Sequence, residues 1–342
     1  MKTLRNNLLS NVYSPINNSL ENVKDEISDL SKSYNNEKHL PFLSQLLEYS
    51  LNSSGKKLRP TLSLLSAGFG NQNLKTVEKL AAAVELLHIA TLVHDDTVDD
   101  SNFRRGKATI SNLWGDNSAV LIGDYIFAAA ASLICETKSI YVIKRFSETI
   151  MELSAGELDQ MYSTYSSDQT KEKYFKRIYK KTASLFTTAS ESGAILSNTD
   201  QRTINALKNF GYNLGMAFQI IDDILDFTGD SQKTGKPTSA DLSKGTLTLP
   251  SIISIEKNPI ENPIIQFLDD PSNNILLSKA IENASEKSNI SEALKIAEQF
   301  CKTALNEIKF LPENSHKIAL IDLVAVSYTH LRAHETDSYL VC

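Results

Sequence analysis

Two acidic motifs, each at the end of an apolar helical run, constrain the fold of this chain more than any other feature. The first closes the stretch LLHIATLVHDDTVDD and the second lies in FQIIDDILD. Residues four apart share one face of a helix, so the first and last aspartates of each motif lie one turn apart. The motifs are too far apart in the chain to share a helix. They comprise Asp95, Asp96 and Asp99, and then Asp222, Asp223 and Asp226.

Carboxylates at this spacing repel one another, and a hard divalent cation bound through oxygen relieves the repulsion. A single motif of this kind is commonly only a solvated helix end. Two helices that face each other would instead surround one cavity with six carboxylates, which a buried site tolerates only with metal ions. We therefore predict a divalent-metal site between two helices. His88 lies two turns before Asp95, on nearly the same face.

The composition favours helices. The chain has 342 residues, of which 41% are hydrophobic, with only 13 glycines and 9 prolines. Few glycines and prolines favour long helices over a turn-rich sheet protein, and no segment alternates at period two. We predict one all-α domain over residues 1–326, a helical bundle around a deep central cavity. The predicted helices are 17–30, 42–51, 61–67, 76–98, 119–135, 140–162, 174–196, 203–227 and 247–255, then shorter helices broken by prolines, with loops at 104–108 and 228–244.

Charge and cysteine usage argue against several classes of protein. The net charge is −6 and the basic residues form no stripe, so no nucleic-acid partner is expected. The three cysteines form no zinc or disulfide pattern. No uninterrupted apolar run reaches the roughly 18 residues that cross a bilayer. We expect no transmembrane segment.

Six stretches, in one order and spacing, resemble the trans-type prenyl diphosphate synthases, most of all the long-chain members of bacteria and plastids. The resemblance extends over about residues 42–324. Any one stretch alone would be a weak signal. They are GKKLRP at 55–60, the first acidic stretch at 88–109, a GE–Q pattern at 156–160, KTASLF at 181–186, FQIIDDILD at 218–226 and GKPTSADL at 235–242.

The resemblance implies an isoprenoid synthase-like fold and a Mg²⁺-dependent prenyltransferase. Such an enzyme condenses isopentenyl diphosphate with an allylic diphosphate and elongates the chain to a long all-trans polyprenyl diphosphate, a quinone side-chain precursor. All six aspartates would bind metal. Isopentenyl diphosphate would contact Lys56, Arg59, His88 and Arg105, and the allylic diphosphate would contact Arg104, Lys181, Thr182, Gln219 and Lys236. The residues expected to act in catalysis are Asp95, Asp99, Lys181, Gln219 and Asp222.

The resemblance also bears on product length. Short-chain relatives tend to carry an aromatic ring just before the first motif, as a floor beneath the growing chain. Ala90 and Thr91 occupy those positions here, and Leu87 lies about one turn further from the aspartates. Small side chains leave the floor open and predict a long product. The alternative is that they are small because another helix packs there.

Two parts of the chain depart from the family pattern. Relatives often carry a basic residue where Thr246 stands, and Lys244 is the candidate substitute. Residues 327–342, SYTHLRAHETDSYLVC, lack a helical stripe and do not resemble the family's ending, so we expect them to be a non-native tail. His94 is expected to orient the first motif, and Asp100 to be solvated.

Three other functions were weighed: a geranylgeranyl or farnesyl diphosphate synthase, a class I terpene cyclase and a non-catalytic partner subunit. Cyclases usually lack a second Asp-rich motif and the Lys56–Arg59 pocket, and partner subunits normally lose a motif. Both motifs and the pocket are present here. We expect a homodimer, and a soluble protein of the cytoplasm or plastid stroma. The alanine run 128–131 would let helices approach closely in the dimer, although simple core packing is the commoner use of such a run.

Overall fold

The computed structural model describes residues 2–32, 41–52, 55–71, 73–228 and 239–338. Within them the fold is helical apart from one short hairpin, which confirms the all-α, single-domain prediction. The α-helices are α1 (Lys2–Tyr13), α2 (Asn17–Lys32), α3 (Pro41–Leu51), α4 (Leu58–Ser66), α5 (Leu74–Val98), α6 (Ile110–Trp114), α7 (Asp116–Glu136), α8 (Ile140–Ser163), α9 (Lys171–Ile178), α10 (Ser184–Leu196), α11 (Gln201–Thr228), α12 (Ala240–Ser243), α13 (Leu249–Lys257), α14 (Pro263–Asp269), α15 (Asn274–Ala284), α16 (Lys287–Glu307) and α17 (Ser315–Ser338). Short 3₁₀ turns cover Ser14–Ile16 and Ala67–Phe69.

Helix α5 lies at the centre of the bundle. Its residues 80–87 are all buried, as expected of a helix that is covered on every side. It packs against α2, α4, α7 and α10, and α11 packs against α10 and α16. The chemistry therefore lies at the ends of two core helices, α5 and α11, which carry the two acidic motifs and are held rigidly by the surrounding bundle.

Helix starts follow local side-chain chemistry. Thr109, Ser139 and Thr170 each accept a hydrogen bond from a backbone N–H of the first turn of α6, α8 and α9. Such caps satisfy donors that have no partner inside the helix. Pro263 begins α14, where its missing N–H costs nothing. The C-terminal region nevertheless contains long helices, α16 and α17, where the sequence predicted shorter ones.

The predicted helix 174–196 is interrupted. Between α9 and α10 the backbone forms a π-helical segment, Tyr179–Ala183, which carries Lys181 and Thr182. Each π turn holds more residues than an α turn, so side chains beyond it are rotated relative to a regular helix. Gly156 of α8 permits this segment to approach, because a Cβ there would lie 2.8 Å from the Lys181 backbone nitrogen.

The predicted loop 104–108 contains a two-residue hairpin. Strands β1 (Phe103–Arg104) and β2 (Lys107–Ala108) pair antiparallel, with Arg104 opposite Lys107. The turn residues Arg105 and Gly106 have φ values of 50° and 77°. Positive φ at both central positions is the geometry that suits the strand twist in tight hairpins. The hairpin fixes the directions of the two neighbouring arginines.

The chain end differs in part from expectation. Helix α17 continues through Ser338, so the backbone shows no break at residue 326. Ser327 is buried and its hydroxyl donates to the Leu323 carbonyl at 3.0 Å. Residue 327 thus belongs to the packed structure, although the sequence analysis set it aside. That residues 327–342 are non-native stays a prediction.

Helix α7 is the most apolar of the long helices. By length and composition it could cross a membrane, and it is the one helix of the described residues that could. Core helices pass the same test, and Asp124 interrupts the apolar run. In the structure α7 packs along α5 as part of the bundle.

Candidate active site

A cavity of about 590 Å³ opens between α4, α5, α11 and α17. Its lining contains both apolar residues and a group of cationic ones, which we call the cationic side. Asp222 of the second acidic motif lines the same cavity. The polar lining residues are Lys56, Lys57, Arg59, Glu85, His88, Arg105, Asp222 and Ser327, and the apolar ones include Leu58, Ile89, Leu92, Phe218, Ile221, Leu225 and Val326.

Arg59 is the most constrained cation of this cavity. Its Nη1 donates to His88 Nε2 at 3.1 Å, and its guanidinium lies 4.8 Å from the centre of the Phe186 ring. Burial lowers the pKa of Arg59 to about 10, which still leaves it charged at neutral pH. Its Nε is buried and has no hydrogen-bond partner in the described part of the chain. A guanidinium that stays charged in a cavity wall suits an anionic ligand.

His88 complements Arg59 as a neutral acceptor. Burial, followed by the nearby Arg59 and Arg105, lowers the pKa of His88 well below its usual value. Because a guanidinium can only donate, the Nε2 atom must accept and the ring must be neutral. The histidine therefore positions the arginine rather than adding charge to the pocket.

Glu85 is a buried acid in this cationic cavity that the sequence analysis did not single out. It lies three residues before His88, on the same face of α5. Burial raises the pKa of Glu85, and Arg59, Lys57 and Arg105 oppose that rise. Lys57 was also missed; it adopts a left-handed backbone conformation, with φ of 48°, at the start of α4. Glu85 is one helical turn from His88, and Lys57 is next to Lys56 in the chain. Their closeness to these predicted site residues could have identified both.

The three aspartates of the first acidic motif have different surroundings. Burial, together with the Glu157 carboxylate, raises the pKa of Asp95 to about 7. Asp96 accepts from Arg104 Nε at 2.7 Å. Asp99 ends α5, and its carboxylate lies 3.5 Å from Lys244 Nζ.

The second motif is held more tightly. Asp223 is buried and accepts from the Tyr174 hydroxyl at 2.6 Å and from Gln219 Nε2 at 2.7 Å. Burial and the neighbouring Asp241 raise the pKa of Asp223 to about 8. Asp226 accepts from the backbone N–H groups of residues 240 and 241, at 3.2 and 3.3 Å, and burial and Asp241 raise its pKa to about 6.

Asp241 and Tyr174 are further site residues that the sequence analysis missed. Asp241 belongs to the stretch GKPTSADL at 235–242, which resembles the family, so the sequence did contain a signal for it. Tyr174 had no such signal, because it pairs with an aspartate that lies 49 positions later.

The π-helical segment brings two further predicted residues to the site. Lys181 pairs with Glu157 at 2.6 Å and donates to Gln160 Oε1 at 3.2 Å. Burial alone would lower the pKa of Lys181, but Glu157, Asp95 and Asp99 outweigh it and raise the pKa. The Thr182 hydroxyl donates to Gln219 Oε1 at 2.6 Å, so this segment and α11 are bridged by side chains.

Some predicted residues lie apart from the cavity. Leu87 and Ala90 are fully buried and Thr91 is half-buried, and none of the three lines the 590 Å³ space. His94 contacts the Val120 carbonyl of α7 at 3.1 Å, and Asp100 is exposed. Lys236 lies outside the described residues.

The chemistry of the donor set fits a Mg²⁺ ion. No three His, Cys, Asp or Glu side chains in the described ranges are gathered closely enough to hold a metal by themselves. Mg²⁺ does not need such a cage, because it keeps several waters and usually binds one or two carboxylates plus substrate phosphates. Carboxylates such as Asp95, whose pKa is raised by burial and by a like charge, are stabilised by a bound cation.

Comparison with known proteins identifies the family. The chain matches the polyprenyl synthetase family over residues 40–296. It is 32% identical to heptaprenyl diphosphate synthase component 2 of Bacillus subtilis (strain 168) over 90% of this chain and 87% of the relative. It is 36% identical to chloroplastic solanesyl-diphosphate synthase 2 of Oryza sativa subsp. japonica, over 89% of this chain and 77% of that relative.

A solved structure shares the fold. The polyprenyl synthase from Caulobacter crescentus CB15, complexed with calcium and isoprenyl diphosphate, is similar with a TM-score of 0.86 and 29% identity. The match covers 94% of this chain and 97% of that one. From its sequence and its fold, this chain is a prenyltransferase that belongs to the polyprenyl synthetase family.

Proposed function

We propose that this protein condenses isopentenyl diphosphate with an allylic diphosphate and repeats the step to give a long all-trans polyprenyl diphosphate. One observation carries the proposal: a cationic pocket and an aspartate of the second acidic motif line one cavity. Two anionic substrates can therefore meet with their reacting carbons side by side. Relatives named heptaprenyl and solanesyl diphosphate synthase support the long product.

Isopentenyl diphosphate is assigned to the cationic side. Lys56, Arg59 and Arg105 line this side and supply the positive charge. Charge-assisted bonds to phosphate are roughly twice as strong as neutral ones. The apolar residues Leu92, Phe218 and Ile221 lie beside them, which suits the hydrocarbon part and keeps water from the reacting carbons.

The allylic diphosphate is assigned to the space between the two motifs. Lys181 and Arg104 supply positive charge there, and Thr182 and Gln219 supply a second polar edge. Mg²⁺ bound by the aspartates would neutralise the leaving diphosphate as the allylic carbon–oxygen bond breaks. The proton lost after condensation is assigned to the departing diphosphate.

All six aspartates of the two motifs are assigned to metal binding. Asp96, Asp223 and Asp226 also accept hydrogen bonds from protein donors, namely Arg104, Tyr174 and Gln219, and backbone N–H groups. These bonds would orient their carboxylates toward the site.

A product assay tests the function. The protein is incubated with farnesyl or geranylgeranyl diphosphate, labelled isopentenyl diphosphate and Mg²⁺, and the dephosphorylated products are sized. We expect a ladder that ends at a long polyprenol. Products that stop at geranylgeranyl diphosphate would support the short-chain alternative, and a cyclic hydrocarbon formed without isopentenyl diphosphate would support a cyclase.

The partner and the compartment are part of the proposal. The Bacillus relative is named component 2, and that name suggests an enzyme made of two different subunits. We propose instead that this chain forms a homodimer. Turnover by the purified protein alone would favour the homodimer, and dependence on an added second subunit would overturn it. The bacterial and chloroplastic relatives suggest the cytoplasm or the plastid stroma.

A further inference from the structure

The π-helical segment Tyr179–Ala183 presents Lys181 and Thr182 to the site, yet a π turn is not a stable conformation by itself. Such segments occur mostly as single turns, and neighbouring contacts must hold their register. Lys181 contacts Glu157 and Gln160 of α8, and the charges of Asp95 and Asp99 act on it. The first residue of the segment, Tyr179, has contacts of its own.

A half-buried polar cluster meets the first residue of the segment. Arg145 of α8 forms a two-pronged contact with Glu152, two turns further along the same helix, with Nη–Oε distances of 3.1 and 2.8 Å. The Tyr179 hydroxyl donates to Glu152 Oε1 at 3.2 Å and accepts from Arg145 Nη2 at 3.4 Å. The two side chains that bind the phenol hydroxyl therefore also hold each other.

The charges within this cluster are strongly coupled. Burial alone would lower the pKa of Arg145, but its hydrogen bonds with Glu152 outweigh burial and raise it. Arg145 Nε and Glu191 Oε2 are 3.6 Å apart, and neither atom has a hydrogen-bond partner among the described residues. The more exposed Lys208 pairs with the other oxygen of Glu191, with an Nζ–Oε1 distance of 3.0 Å.

An ion pair at this depth is a poor source of stability, because desolvation offsets most of the Coulomb attraction. Its better-attested use is to specify one arrangement of the chain. Glu152, Gly156, Glu157 and Gln160 all contact the π-helical segment or its ends, and helical spacing puts them along one face of α8. Helix α8 therefore runs along the segment as a rigid support.

We infer that Arg145, Glu152 and Tyr179 form a positioning clamp that sets the register of the π-helical segment. The clamp thereby places Lys181 and Thr182 at the allylic diphosphate. None of the three clamp residues lines the cavity, so they act through the segment and are positioning residues. The inference rests on the proposed function only in naming the ligand that Lys181 meets.

The kinetic test uses Tyr179→Phe and Glu152→Gln in the full chain. Each removes hydrogen bonds of the clamp and keeps nearly the same volume. Loss of a hydrogen bond to a charged group predicts a rise of about five- to tenfold in the KM for the allylic diphosphate. The KM for isopentenyl diphosphate should stay within about twofold of wild type. Lys208→Met is the matched control, because it removes an outer charge of the cluster and leaves the clamp intact.

A second measurement does not depend on turnover. Backbone hydrogen exchange should become faster at residues 179–183 in both variants and stay unchanged in α8 and α11. If wild-type protein fails to turn over the two diphosphates, the proposed function is wrong, and hydrogen exchange still decides on the clamp. Equal changes in both KM values, unchanged exchange, or loss of the folded state in Tyr179→Phe would each overturn the inference.

Discussion

At the scale of single residues, the site holds carboxylates whose protonation lies close to neutral pH. The pKa is about 7 for Asp95, about 8 for Asp223 and about 6 for Asp226, and burial is the first cause in each case. An unfolded aspartate has a pKa of about 3.9. Between about pH 4 and 8 these three carboxyl groups therefore bind more protons in the folded, metal-free protein than in the unfolded chain.

The first prediction concerns pH. Because the folded state binds more protons, these three groups lower the free energy of unfolding as pH rises through that range. In EDTA the Tm should fall between pH 6 and 8, and Asp223→Asn should make the fall smaller. Added Mg²⁺ should raise the Tm more at pH 8, where the carboxylates are charged. A Tm in EDTA that rises from pH 6 to 8 would contradict this reading of the site.

The second prediction tests the metal ligands. Asp95→Ala or Asp222→Ala should reduce turnover by orders of magnitude while circular dichroism shows an unchanged helix content. Both residues are assigned to metal binding, one in each motif, and alanine removes the carboxylate. A variant that keeps more than about a tenth of wild-type kcat, about 1.4 kcal/mol of barrier, would remove that residue from the ligand set.

The third prediction separates the two diphosphate sites. Arg59→Ala and Lys56→Ala should raise the KM for isopentenyl diphosphate more than the KM for the allylic substrate, since both residues line the cationic cavity. Arg104→Ala and Lys181→Ala should do the reverse. Arg59→Lys keeps the charge but loses the planar fork, so part of the defect should remain. Parallel shifts in both constants would show that the pockets are misassigned.

At the scale of helices, α5 relates the chemistry to product length. Ala90 is fully buried and Thr91 is half-buried, one turn from the first motif. Neither lines the main cavity, so the path of a growing chain past them stays a prediction. Each helical turn is about 5.4 Å, close to the length of one isoprene unit.

The fourth prediction uses larger side chains at these positions. Ala90→Phe should shorten the product and spare the first condensation, because the blockage lies beyond the reacting carbons. Thr91→Phe is a second variant with less risk of overpacking, since the Thr91 side chain is only half-buried. Product sizing and a thermal melt together distinguish a blocked path from an overpacked core. An unchanged product spectrum in both folded variants would refute the open-floor hypothesis.

At the scale of the whole molecule, the face formed by α7 and α8 exposes several large apolar side chains. Leu121 is 68% exposed, Ile140 80%, Tyr141 78% and Met151 64%. Ala128 and Ala131, one turn apart on α7, are exposed as well. Exposed apolar side chains of this size, spread along two consecutive helices, favour a surface that another protein covers, and twofold symmetry is the commonest arrangement of like chains.

The fifth prediction is therefore a dimer through this face. Light scattering on the full chain should give about twice the chain mass of 37.9 kDa. Leu121→Glu combined with Tyr141→Glu should shift the mass to one chain. Ile275→Glu is the matched control, because Ile275 is 69% exposed on α15 and lies off this face. A wild-type protein that is monomeric and active would exclude the dimer.

Several elements could be predicted closely because their signals are local. Helices predicted at 76–98, 140–162 and 203–227 are α5, α8 and α11, with ends that differ by two residues or fewer. Apolar spacing and breakers set these ends, and both are visible in the chain. The π-helical segment and the hairpin at 103–108 were missed, since each departs from a regular period for only a few residues.

The sequence alone determined the fold class, the family and the acidic residues, because helix periodicity and ordered motifs are properties of the chain itself. The tertiary structure decided which carboxylates protein donors engage, as when Tyr174 and Gln219 hold Asp223. It also placed Glu85 among the cations and the Arg145–Glu152 pair beneath Tyr179. Burial and distance set pKa values and hydrogen bonds, and both arise only when distant helices pack together.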